Sequence, residues 1–113
     1  MEQALKPVLW SGDSLERVRG FPKKARQDIG FQLDRVQRGF EPRDWKWATS
    51  VGPGVIELRV HVGSEYRVFC VAKFEPAVYV LHAFVKKARK TPRGELALGR
   101  RRYQELVREG HLR

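Results

Sequence analysis

Arg59 and Arg67 are the residues whose type and spacing first suggest chemistry. Val55 to His61 alternates strictly, with Ile56, Leu58 and Val60 on one side of an extended chain and Glu57, Arg59 and His61 on the other. The next extended run, Tyr66 to Ala72, brings Arg67 to that charged side if Tyr66, Val68 and Cys70 turn inward. Two neighbouring guanidinium forks match the oxygens of a phosphate, although a solvated charged face would carry the same pattern.

A second cationic feature follows. From Phe84 to Arg102 there are eight basic residues against one acid, Glu95, and the run Lys86-Lys87-Ala88-Arg89-Lys90 leaves the end of a predicted strand. Phe84, interleaved with it, offers either a ring for base stacking or a core side chain. His82, near the end of that strand, is a candidate for proton exchange at neutral pH, or else a hydrogen-bonded structural histidine. Arg100, Arg101 and Arg102 span nearly a helical turn and cannot share one face, which predicts a solvated helix surface or a partner contact.

The sequence has no P-loop, GxSxG elbow, HExxH helix or compact carboxylate cluster for magnesium, so no metal or cofactor is expected. Phosphate chemistry without a metal remains open when the substrate supplies its nucleophile, as RNA does with its 2′-hydroxyl. The protein must then orient the phosphate, stabilise its added charge and move protons.

Composition agrees with a polyanionic partner. The 113 residues carry 23 Lys plus Arg against 13 Asp plus Glu, a formal net charge of +10, and residues 51 to 113 hold +7 of it. With 42% apolar residues and a mean hydropathy of −0.52, the chain suits one soluble domain, residues 1–113, with a single core. Cys70 is the one cysteine, excluding an internal disulfide. The start, MEQALKPVLWSGD, lacks the pattern of a signal peptide, and the longest nearly apolar run, Val78 to Val85, is too short for a membrane span. A cytoplasmic protein is expected.

The elements that must position these groups follow from periodicity. Lys6 to Trp10 reads as a short strand, and Ser11-Gly12-Asp13-Ser14 as a turn with N-cap acceptors for a helical turn over Leu15 to Arg19. Ala25, Ile29, Leu33, Val36 and Phe40 recur at helical spacing, predicting an amphipathic helix from Pro22 to near Gly39. Glu41 to Ser50 reads as an ordered loop. Three strands then form an antiparallel meander, with turns at Val62-Gly63-Ser64 and around Glu75-Pro76. Thr91 offers an N-cap and Pro92 a first helical position for a last helix lined by Leu96, Gly99, Tyr103, Leu106, Val107 and Gly110. The predicted fold class is α+β, an antiparallel sheet of the N-terminal strand plus the meander, with helices on one face and the charged face open.

Glu57-Leu58-Arg59, then Glu65-Tyr66-Arg67-Val68-Phe69, then Val80-Leu81-His82-Ala83-Phe84-Val85-Lys86-Lys87 with Arg89-Lys90-Thr91-Pro92, taken in order, resemble the HigB-type, phage-derived branch of the RelE/ParE toxin superfamily. The resemblance extends to Trp10-Ser11-Gly12 and Phe21-Pro22. It implies a RelE-like fold and the toxin of a type II toxin–antitoxin pair, a ribosome-dependent mRNA endoribonuclease. A cognate antitoxin, helix-turn-helix and HigA-like, is implied as partner, with the ribosome and mRNA. By position, Arg67 and Arg89 match phosphate-stabilising arginines. Arg59, Lys86, Lys87 and Lys90 become RNA contacts or proton-transfer candidates, and Phe84 an RNA contact. RelE-like nucleases often place lysine where Glu57 stands and use a C-terminal tyrosine as base. Here the late tyrosine is Tyr103, expected in the helix core, which leaves His82, Glu57 or Lys87 for the general base. The ParE branch, gyrase inhibitors of the same fold, and an inactive descendant that binds only nucleic acid or antitoxin are the alternatives.

Overall fold

The computed structural model describes residues 5–112; the first four residues and the last, which belong to the expected domain, lie outside it. The elements are β1 (Val8–Trp10), α1 (Ser14–Arg19), α2 (Lys23–Gln37), β2 (Trp45–Trp47), β3 (Val55–Val62), β4 (Ser64–Val71), β5 (Val78–Lys86) and α3 (Arg93–Arg108). They form a five-stranded sheet of order β1-β5-β4-β3-β2. The α+β class stands, with two corrections to the sheet. β1 pairs parallel with β5, so the sheet is mixed: α1 and α2 carry the chain from β1 at one edge to β2 at the other, and the antiparallel strands that follow bring β5 back beside β1. Glu41 to Ser50 contains an edge strand, β2, antiparallel to β3, whose three residues are too few to show a period.

One side of the sheet is closed by α2. Ala25, Ile29, Leu33 and Val36, the stripe read from the sequence, are buried against Leu58, Val60, Tyr66, Val68 and Cys70. Burying each large aliphatic side chain contributes roughly 1.5–3 kcal/mol. Phe21, just ahead of the helix, packs on Tyr66 at 4.8 Å between ring centroids. The helix stops at Gln37 and Gly39 turns the chain at φ +82°, which leaves Phe40 outside the stripe and exposed.

The other side is not open along its whole length, correcting the expectation of helices on one face only. α3 lies over it, burying Phe69, Val71, Tyr79, Leu81 and Phe84 with Leu96, Tyr103 and Leu106 packed against them. Close approach needs Gly99: a Cβ there would stand 3.0 Å from the Phe69 ring and 3.1 Å from Val51. α3 begins at Arg93, one residue later than predicted, and Pro92 holds the cap position with no side-chain cap bond from Thr91. Asp13 also makes no side-chain cap bond at α1; its carboxylate goes to Arg17 and Arg102 instead. Among the described residues no helix is long and apolar enough to cross a membrane.

A cationic groove over a buried carboxylate

The α3 side of the sheet is divided between core and charge. At the end that α3 leaves uncovered, β3 and β4 pair Arg59 with Arg67 directly across the ladder. Like charges in that position are unfavourable. The flanking acids offset this: Arg67 donates to Glu65 Oε1 at 3.0 Å and to the Tyr66 carbonyl at 3.0 Å, and its Nε lies 3.9 Å from Glu57 Oε1. The guanidinium beside Glu65 holds that carboxyl below its usual range, with His61 adding to the effect. Arg67 and Glu57 are both buried, and the Nε atoms of Arg59 and Arg67 have no hydrogen-bond partner among the described residues.

Glu57 lies in the floor of a groove of about 440 Å³. Lys46 of β2 closes one wall, its Nζ 3.6 Å from Glu57 Oε1. Lys86, Arg89 and Lys90 form the opposite wall as the chain leaves β5 for α3. Thr49 and Ser50 complete the rim, and Arg100 of α3 holds them by donating to the Ser50 carbonyl at 2.6 Å. Tyr103 is packed partly into the core and braces the next turn, its hydroxyl donating to the Pro53 carbonyl at 2.9 Å. Lys46 stands beside the Glu57 carboxylate, and Lys86, Arg89 and Lys90 line the same groove, so the groove is cationic with one buried carboxylate in its lining.

The structure sorts the sequence candidates. It brings Lys86, Arg89, Lys90 and Glu57 into the groove, with Arg67 behind Glu57 and Arg59 across from Arg67. Lys87 is exposed and lies outside the groove lining. Phe84, read as an RNA contact, is a core residue: it is 1% exposed, tilted against Phe69 at 5.3 Å and stacked on His82 at 5.4 Å. No ring face is left for a base.

His82 is fully buried in the middle of β5, not at its end, and does not line the groove. A bulge opposite Phe69/Cys70 adds Leu81 to the strand and turns His82 towards α3. Arg102 donates to the Leu81 carbonyl at 3.0 Å and contacts His82 Nδ1 at 3.3 Å. An arginine can only donate, so Nδ1 accepts and the imidazole proton sits on Nε2, which donates to Glu95 Oε1 at 3.0 Å. Burial pulls the His82 pKa below its ordinary value, against the opposing pull of Glu95. His82 is thus a neutral link between sheet and helix.

Arg102, expected on a solvated surface, is buried. Its second nitrogen pairs with Asp13 at 2.7 Å, and hydrogen bonds from Arg17 and then Arg102 lower the pKa of that carboxyl to about 2. The guanidinium lies where a Cβ on Gly12 would stand, at 2.6 Å, and Gly12 sits at φ +52°, so glycine is required twice over. Sequence reasoning missed Lys46, Glu95 and Arg102. Only Lys46 had a local signal, a lysine alternating between Trp45 and Trp47.

The fold and this groove define a small basic α+β protein with a cationic groove that contains a buried carboxylate. The chain belongs to the family described as phage derived protein Gp49-like, which matches residues 16–104 and so takes in every groove residue. This is a RelE/HigB-like toxin family, associated with toxin–antitoxin systems. No curated protein and no solved structure matches the chain.

Proposed function

We propose that this protein is the toxin of a type II toxin–antitoxin pair and cuts mRNA on the ribosome, in the manner of HigB-type toxins. The observation that carries the reading is a single groove lined by Lys46, Lys86, Arg89 and Lys90 together with the buried carboxylate of Glu57, which Lys46 approaches to 3.6 Å. In this reading residues 1–113 form one catalytic domain acting in the cytoplasm.

The reaction follows from the groups in reach. The lysines seat the RNA backbone. Glu57 takes the proton of the 2′-hydroxyl, which attacks the adjacent phosphorus and expels the 5′-oxygen. The products are a 2′,3′-cyclic phosphate and a 5′-hydroxyl end, and the proton passes to the leaving oxygen. Arg89 in the groove wall stabilises the charge that builds on the phosphoryl oxygens, whereas Arg67, matched by position to a phosphate-stabilising arginine, is buried outside the groove lining and acts through Glu57, 3.9 Å from its Nε. Of the three candidate bases, Glu57 is the one that lines the groove. Burial keeps His82 in a positioning role, and Lys87 stands outside. A helix-turn-helix, HigA-like antitoxin would neutralise the protein.

The test is induction of the protein alone in cells with mapping of new mRNA 5′ ends. Cuts confined to translated frames are expected, reduced roughly 10²–10³-fold by Arg89→Ala. Growth arrest with intact mRNA and damaged DNA would move the assignment to gyrase inhibition. Harmless accumulation of folded protein would leave an inactive descendant.

A further inference from the structure

On the α2 side of the sheet, separated from the cationic groove by β2, lies a second groove of about 450 Å³. Val36, Phe40, Trp45, Trp47, Ile56 and Phe74 form its apolar wall. Phe40 is 59% exposed, Trp47 53% and Phe74 77%, so three large rings face water around one depression. Contiguous apolar surface of this kind marks an interaction site more often than a chance cluster.

Phe74 carries an independent sign of function. It sits in the β4–β5 turn at φ +65°, a conformation that side chains other than glycine avoid. The chain keeps a bulky aromatic there at a cost in stability, and the ring it presents is exposed on the groove. Strain retained at an exposed aromatic points to a use for that ring.

The charge around the groove selects the occupant. Lys73 stands over the Phe74 ring at 5.3 Å and Arg35 over Phe40 at 5.7 Å, and Lys6 and Glu41 also line the depression. A second copy of this chain would bring its own +10 charge and the same cations against these. A lipid surface fits protruding rings better than a recess between a helix end and a strand. We propose that this groove receives the apolar face of an acidic amphipathic segment of another polypeptide. The inference does not depend on what the cationic groove does.

Trp45 and Trp47 line the groove, Trp47 also edges the cationic groove and Trp10 is the remaining tryptophan, so indole emission reports binding and the Phe40 and Phe74 variants assign it to this groove. The probe is a synthetic helical peptide of about 18 residues, leucines at i, i+3, i+4 and i+7 and glutamates on the flanks. It is titrated into the full chain beside a scrambled peptide and one with lysine for glutamate. A saturable blue shift is expected with the acidic amphipathic peptide alone, weakened by salt. Phe40→Ser and Phe74→Gly should each weaken it about tenfold.

Phe74→Gly relieves the strained φ, so its Tm should rise by a few degrees while binding falls. That separates loss of a contact from loss of fold. Arg89→Ala, on the opposite face, should leave binding unchanged. Equal binding of the scrambled or lysine peptide, or a loss seen only with Arg89→Ala, overturns the proposal. So does self-association that the groove variants abolish, or an emission shift on anionic vesicles without one on the peptide.

Discussion

The two faces of one sheet are built on different terms. On the α2 side, β3 contributes Ile56, Leu58 and Val60 to a continuous apolar layer; on the α3 side the same strand contributes Val55 to the core and Glu57, Arg59 and His61 to a charged surface. The first face is covered by α2 except at the β2 edge, where the apolar groove lies. The second is shared, with α3 closing one end and a cationic groove occupying the other. A small domain has little core to spare, and it can leave half a face for charge because α2 packs over most of the opposite face.

Neighbouring residues on β3 offer the sharpest way to break this comparison. Glu57→Gln keeps the shape of the floor and removes the proton acceptor, so RNA cleavage should fall by roughly 10²–10⁴-fold with the fold retained. The check is the rate of cleavage of translated mRNA beside a thermal melt. A variant with normal cleavage would remove Glu57 from the reaction. Leu58→Ala, one residue on and fully buried on the other face, should instead cost about 2–5 kcal/mol in urea unfolding. Its folded fraction should cleave normally. If Leu58→Ala lowered the activity of folded protein as much as Glu57→Gln, the two faces would not be separable in this way.

A smaller effect concerns the joint between the faces. His82 has a folded pKa below its ordinary value of 6.5 because it is buried. Above that value both folded and unfolded states hold it neutral, and its contribution is complete. As pH falls below 6.5 the unfolded chain binds the proton first, so stability declines progressively until the lower folded pKa is reached. Urea midpoints measured from pH 7.5 downward should therefore fall, and His82→Gln should flatten the slope whatever it does to the midpoint. An unchanged slope would remove His82 as its source.

How much of this arrangement was legible follows from the length of each signal. The α2 stripe and the β3 alternation run for several periods, and both survive folding apart from Phe40 at the end of the stripe, as does the placement of Arg67 beside Arg59. Three features had no such run. β2 is three residues long. The bulge at Leu81 shifts the alternation of β5 by one, so Tyr79 and Leu81 face α3 and so do His82 and Phe84; strict period two would have divided these pairs. Arg102 is buried because Asp13, far along the chain, meets it across Gly12, and nothing near Arg102 in sequence encodes that. The amphipathic pattern of α3 showed that the helix has an apolar face. It could not show which side of the sheet that face covers.

The same limit explains why the cationic residues needed the fold to be ranked. Lys86, Lys87 and Lys90 are equivalent as sequence, yet only Lys86 and Lys90 line the groove, while Lys46, from a segment read as loop, stands opposite them. Salt titration turns this into a small but clean measurement. For single-stranded RNA each phosphate contact adds roughly 0.7 to the slope of log K against log salt. Lys46→Ala and Lys90→Ala should each lower the slope by about that amount, whereas Lys87→Ala should leave it unchanged. Lys46→Ala also leaves Glu57 with one cation fewer at 3.6 Å, so its affinity should fall further than that of Lys90→Ala at equal slope. A slope that responds to Lys87 and ignores Lys46 would place the RNA along the outer edge of the β5–α3 loop, and the carboxylate floor would then have no substrate above it.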